Sequence, residues 1–207
     1  MKKTLITLLI LSGIYSAANA QRANSAEFGI NIGLNQSTVQ NSGTQENANY
    51  KSGINLGVSA EYYFSDRWGI KGKVIYDQKG WANGFLVLND GSEIDGIDYH
   101  LNYVTIPIMA NWHFGQARNW YLDFGPSFGF LASASETSHS ADVKPLFNST
   151  EVGIAFGIGV KIPISDKAKL FFEYEGQGGL TNVFVESDGT YQNIRSSLNV
   201  GLIFPIK

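Results

Sequence analysis

Residues 54–64 alternate without a break: Ile54, Leu56, Val58, Ala60, Tyr62 and Phe64 share one parity, and Asn55, Gly57, Ser59, Glu61 and Tyr63 the other. A two-residue period marks a β-strand whose two faces meet unlike surroundings. The rhythm returns at Phe28, Ile30, Ile32 and Leu34, at Val152, Ile154, Phe156, Ile158, Val160 and Ile162, and at Leu198, Val200, Leu202, Phe204 and Ile206. Each stretch approaches the roughly 9–11 residues that a tilted strand needs to cross a bilayer.

Strands are predicted near 27–36, 53–64, 68–79, 99–114, 119–134, 149–162, 169–180 and 194–206. The connections alternate: Val39 to Ser52, Ala82 to Asp98, Ser135 to Asn148 and Thr181 to Asn193 are long, whereas Ser65 to Arg67, Gly115 to Arg118 and Pro163 to Ala168 are short. The fold class expected is all-β, an eight-stranded antiparallel up-and-down transmembrane β-barrel, with short turns and both termini in the periplasm and long outer loops. Segments such as Gln40-Asn41-Ser42-Gly43-Thr44-Gln45 read as solvated loop.

Residues 1–20 read as a secretory signal peptide, with Lys2 and Lys3 before an apolar run from Leu5 to Ile14 and cleavage after Ala18-Asn19-Ala20. The apolar run falls short of the roughly 20 residues of a spanning helix. That leaves residues 21–207 as one barrel domain of formal charge −5 (15 − 2 − 18), an acidic balance that argues against nucleic acid. Absence of cysteine excludes disulfides and thiolate chemistry.

On the apolar parity, Trp68, Trp112, Phe114 and Trp120 lie next to short turns and would form an aromatic girdle at the inner membrane interface, with Tyr76, Tyr99 and Tyr103 marking the outer one. The fourth strand breaks phase between Tyr103 and Val104, which a β-bulge near Tyr103 would repair; Pro107 and Pro126 belong at bulges or distortions. The polar parity collects Glu61, Lys71, Lys73, Asp77, Asp123, Glu151, Lys161, Glu173, Glu175 and Arg195 as a lumen charge network of mixed sign. Eight strands enclose a space just wide enough for side chains, so the expected lumen is plugged, with at most trace conductance.

Signals for chemistry are weak. The histidines, His100, His113 and His139, are too scattered to share a metal, and a rim grouping of His100, Asp98 and a loop serine has nothing to fix its geometry. In the acidic loop from Asn89 to Asp98, Ile94 stands where a calcium loop needs an oxygen ligand. Gly157-Ile158-Gly159 opens no helix and cradles no phosphate. No catalytic, metal or cofactor residues are assigned. Phe85, Leu86, Val87 and Leu88 form an apolar run in a loop position, and would extend strands three and four into a hairpin able to accept a partner strand.

Four segments carry a family resemblance: Leu101-Asn102-Tyr103-Val104-Thr105-Ile106-Pro107-Ile108, Phe124-Gly125-Pro126-Ser127-Phe128-Gly129, Phe172-Glu173-Tyr174-Glu175-Gly176 through Leu180-Thr181-Asn182, and Leu198-Asn199-Val200-Gly201-Leu202-Ile203-Phe204. They resemble the porin-family outer-membrane β-barrel domain, similar to the small OmpA/OmpX-type barrels and including PorT-like proteins. The resemblance implies a non-enzymatic integral protein of the cell outer membrane and carries over no catalytic residue. The expected role is structural or surface-interacting through the outer loops. Its expected partners are outer-membrane lipid and a surface or envelope protein, with the chain itself monomeric. Three alternatives stay open: a secretion-accessory barrel, a lipid-modifying barrel enzyme, and a soluble secreted barrel with its polar and apolar faces exchanged.

Overall fold

The computed structural model describes residues 23–43, 48–87, 93–137 and 143–206. The expected signal peptide, Thr44, Gln45, Leu88, His139 and the segment 89–92 lie outside the described residues. Eight strands follow one another, β1 Ser25–Asn41, β2 Asn49–Tyr63, β3 Trp68–Val87, β4 Glu93–Phe114, β5 Trp120–Glu136, β6 Thr150–Ser165, β7 Ala168–Gly179 and β8 Tyr191–Ile206. Each pairs antiparallel with the next, and β1 closes the ring on β8, from Ala26 opposite Ile206 to Asn41 opposite Tyr191. Closure leaves no sheet edge around the ring, which a backbone surrounded by hydrocarbon requires.

Outward positions carry the apolar parity: Leu34 is 70% exposed, Leu198 66% and Ile32 51%. On β4 the apolar outward face runs over residues 104–114, a length that suits one bilayer crossing. Past that point the strands continue instead of turning into loops. β1 includes Gln40 and Asn41, β2 begins at Asn49, and β3 and β4 run to Val87 and from Glu93. The connections at this end therefore shrink to 42–48, 88–92, 137–149 and 180–190. Polar Ser, Asn and Gln residues suggested loop, but a strand rising above the bilayer has water on its outer face and takes polar residues there.

That change of solvent also explains β4, whose phase does not break. Ile97, Tyr99, Leu101 and Tyr103 point inward in step with Thr105, Met109, Asn111 and His113, and all are buried. Below Tyr103 the outward residues are apolar and the inward ones mostly polar; above it Asp98, His100 and Asn102 face out and the inward residues are apolar. Tyr99 and Tyr103 are thus interior residues and mark no outer aromatic belt, while Tyr76 faces outward at 42% exposure. The expected bulge sits on β5, since Asn102 pairs with Ser133 and Tyr103 with Leu131, leaving Ala132 as the extra residue. The prolines sit at a local interruption without a bulge: Pro107 pairs with Ser127 and Ala110 with Phe124 in one register, the ladder skips Ile108 and Met109 opposite Pro126 and Gly125, and Pro126 pairs on its other side with Ile154.

One inward glycine is fixed by close approach. A Cβ on Gly125 would lie 2.1 Å from the Ile108 carbonyl oxygen and 2.9 Å from Met109 Cα, backbone atoms held by the β3–β4 pairing, whereas a Cβ on outward Gly72 meets nothing within 4 Å. Gly125→Ala is expected to destabilise the barrel by about 1–3 kcal/mol through overpacking. Gly72→Ala should leave it unchanged; unfolding midpoints of the two variants in lipid vesicles check the difference.

Candidate functional site

Among the described residues, the densest chemistry lies inside the barrel. Strand parity sends one residue in two into a lumen too narrow for bulk water, so each charge placed there needs a partner. At the turn end, Lys161 from β6 donates to Glu27 Oε2 (2.8 Å), Glu61 Oε2 (2.7 Å) and Tyr63 Oη (2.5 Å). Lys169 Nζ holds the other Glu27 oxygen at 2.5 Å, and His113 Nε2 lies 2.7 Å from Glu61 Oε1.

One layer higher, Lys71 bridges Asp123 Oδ2 (2.6 Å) and Glu173 Oε2 (2.5 Å). Lys73 pairs with Glu173 and Glu175, and Tyr121 Oη donates to Glu173 at 2.9 Å. Higher again, Arg195 joins Glu175 (2.6 Å) to Asp77 (3.1 Å), and Asn35 Nδ2 donates to Asp77 at 2.6 Å. Lys79 then pairs with Glu151 at 2.7 Å, and Asn193 Nδ2 donates to the other Glu151 oxygen. The ten lumen charges read from the polar parity all face inward, and each has an ionic partner in the lumen. Aromatic faces line it as well: the amines of Lys71, Lys79 and Lys161 lie 4.5, 5.0 and 5.2 Å from the ring centres of Tyr121, Tyr103 and Tyr63. A cavity of about 10 Å³, bordered by Glu27, Ser59, Glu61, Lys71, Tyr121 and Lys161, is no larger than one water needs.

Above Lys79 and Glu151 the lumen turns apolar. Val39, Trp81, Ile97, Tyr99, Leu101, Tyr103, Leu131 and Ala134 form a buried cluster with Val143, Phe147 and Val183 from two connections. Those connections are tied across the mouth, Asn148 N to Val183 O at 2.8 Å and Val185 N to Leu146 O at 3.1 Å, with Phe147 and Phe184 in an isolated bridge. Trp81 meets Tyr99, Phe147 and Phe184 at ring-centre distances of 4.8, 5.9 and 5.8 Å. A packed aromatic plug therefore sits on the ionic column.

On the outer wall, Trp68, Trp112, Phe114 and Trp120 all face outward at the turn end, in an arc over β3, β4 and β5 with successive ring centres 6.3, 5.3 and 6.4 Å apart. The β3–β4 hairpin overtops its neighbours: β2 pairs with β3 no further than Ala82, and β5 with β4 no further than Tyr99. Beyond those points Gly84 pairs with Ile97, Phe85 with Asp95, Leu86 with Ile94 and Val87 with Glu93. Asp98 accepts from Lys51 Nζ and the Asn83 amide, both at 3.2 Å, so its carboxylate is engaged by these groups, whereas His100 stands exposed on the outer wall. No trio of His, Cys, Asp or Glu among the described residues could hold a metal ion.

Several column members escaped the sequence reading. Glu27 and Lys79 share the inward parity but sit at the ends of the predicted strands, and Tyr63, Tyr103 and Tyr121 are aromatic residues whose hydroxyls or faces serve buried ions. Parity alone could have found all five. Phe147 and Val183 gave no such signal, since their burial depends on contacts between two connections far apart in sequence.

A continuous polar interior wrapped in an outward apolar band is the arrangement of a membrane-spanning barrel. Among solved structures, OprG from Pseudomonas aeruginosa is similar at 13% identity, with 91% of this chain and 99% of that one covered and a TM-score of 0.52. Neisserial surface protein A is similar at 16% identity, with 86% and 96% covered and a TM-score of 0.50. These likenesses concern the fold. No curated protein matches the sequence. The family described as outer membrane protein beta-barrel domain matches over residues 18–185, most of the chain. The chain belongs to that family, and its place is the cell outer membrane.

Proposed function

We propose that this protein is a sealed outer-membrane barrel whose task lies at its outer surface, with at most minor permeation of small solutes. The observation that carries the reading is the unbroken filling of the lumen, from Lys161 with Glu27 and Glu61 up to Lys79 with Glu151, and then the plug around Trp81. A pore needs a water-filled path, and an eight-stranded barrel has no width to spare once its inward side chains are in place.

In this reading the turn end faces the periplasm, the Trp68 to Trp120 arc sits at the inner interface, and the monomeric chain reaches the membrane after cleavage behind Ala20. The working surface is the β3–β4 hairpin, whose residues 83–87 and 93–97 pair only with each other among the described strands. Both flanks of such a hairpin suit strand addition by a surface or envelope protein, in which main-chain hydrogen bonds provide affinity.

Planar-bilayer recording of the full chain in molar potassium chloride tests the sealed lumen. Steady traces without open-channel steps are expected, and a stable conductance that scales with salt would overturn the reading. A photoreactive residue at position 95 should give a discrete protein adduct on intact cells where the same residue at position 43 gives none; absence of an adduct at 95 removes the hairpin as the working surface.

Column energetics generate a further expectation. Lys71→Met leaves Asp123 and Glu173 short of a buried cation and should cost about 3–5 kcal/mol, while the joint change Lys79→Met and Glu151→Leu removes both charges of one pair and should cost far less. Unfolding midpoints in denaturant decide this, and equal midpoints for Lys71→Met and the parent would contradict a packed ionic lumen.

A further inference from the structure

Asn111 on β4 and Asp123 on β5 are register partners, flanked in the same row by Gly69 on β3 and Gly157 on β6. Both polar side chains are fully buried, as is His113 two residues along β4. Among the described residues, Asn111 Nδ2 and Oδ1, Asp123 Oδ1 and His113 Nδ1 have no hydrogen-bond partner on the protein. Rotating the Asn111 amide by half a turn does not help, because both of its ends lack a partner. The flanking glycines make room for the carboxylates beside them: a Cβ at Gly157 would come 2.0 Å from Asp123 Oδ1, and one at Gly69 2.9 Å from Glu61 Oε1.

Buried polar atoms are almost always satisfied by protein or by ordered water, and four of them in adjoining residues form one polar cluster rather than scattered defects. The donor set selects its occupant. A cation would be welcome at Asp123 Oδ1 and Asn111 Oδ1 but would meet the Asn111 amide protons and the Lys71 amine, which lies 2.6 Å from the other Asp123 oxygen. Water donates to the carboxylate and accepts from the amide, so it fits both kinds of atom.

We infer that Asn111, His113 and Asp123 bind an internal water that links the Glu61–His113 pair to the Lys71–Asp123 pair. The two lower layers of the column then form one hydrogen-bonded unit. This inference rests on the sealed lumen proposed above, since only an enclosed water exchanges slowly.

The test is water-to-protein magnetisation transfer in solid-state NMR on the full chain in phospholipid vesicles, read at the asparagine side-chain amides. Transfer from a slowly exchanging water to the Asn111 amide is expected, together with its loss at His113 in Asn111→Leu. A dry Asn111 amide in the folded parent overturns the inference while leaving the sealed lumen intact, and this readout needs no variant to fold. If Asn35, Asn55 and Asn199 also exchange with water as fast as the outer connections do, the sealed lumen fails and this inference with it.

Discussion

The barrel wall has hydrocarbon on its outside for part of its height and water for the rest, and each inward side chain answers to the medium on the other side of the sheet. Alternation forces this, because a strand that spends its apolar parity on lipid has only the other parity left for the interior. Within the apolar band that parity is mostly polar and charged. Above it, where Asp98, His100 and Asn102 meet water, the inward positions are free to be apolar, and Ile97, Tyr99 and Leu101 build a core of the kind found in soluble β-proteins.

The ionic column follows from the first half of that rule. Charges inside a narrow barrel are tolerable only when paired, and here the pairs are chained: Glu173 is shared by Lys71 and Lys73, Glu175 by Lys73 and Arg195, and Glu61 by Lys161 and His113. Sharing spreads the neutralisation over several ions, from Lys71 through Glu173, Lys73 and Glu175 to Arg195. Tyrosine hydroxyls complete the lower layers, with Tyr63 donating to Glu27 and Tyr121 to Glu173. The aromatic plug lies above the Lys79–Glu151 pair.

Strand count, direction and facing were legible from the two-residue period, because lipid imposes it on the bilayer-crossing parts of β1, β2 and β6. The lumen charges were legible for the same reason, and Glu27 and Lys79, at the ends of the predicted strands, carry the same inward parity. What misled the reading was the exchange of faces near Tyr103. A swap of polarity with constant geometry looks the same in sequence as a bulge with constant polarity, and only the placement of Tyr99, Leu101 and Tyr103 beside Thr105 separates them. Loop-derived plug residues such as Phe147 and Val183 carry no period at all.

The exchange of faces can be measured directly because the chain has no cysteine of its own. Single cysteines at outward positions 98, 100, 102, 104, 106 and 108 of β4, in the full chain reconstituted in lipid vesicles, can be challenged with a water-soluble thiol reagent. Reaction at 98, 100 and 102 with protection at 104, 106 and 108 is the predicted result. Protection that extends through 98 and 100, or reaction that continues to 106 and 108, would contradict the account.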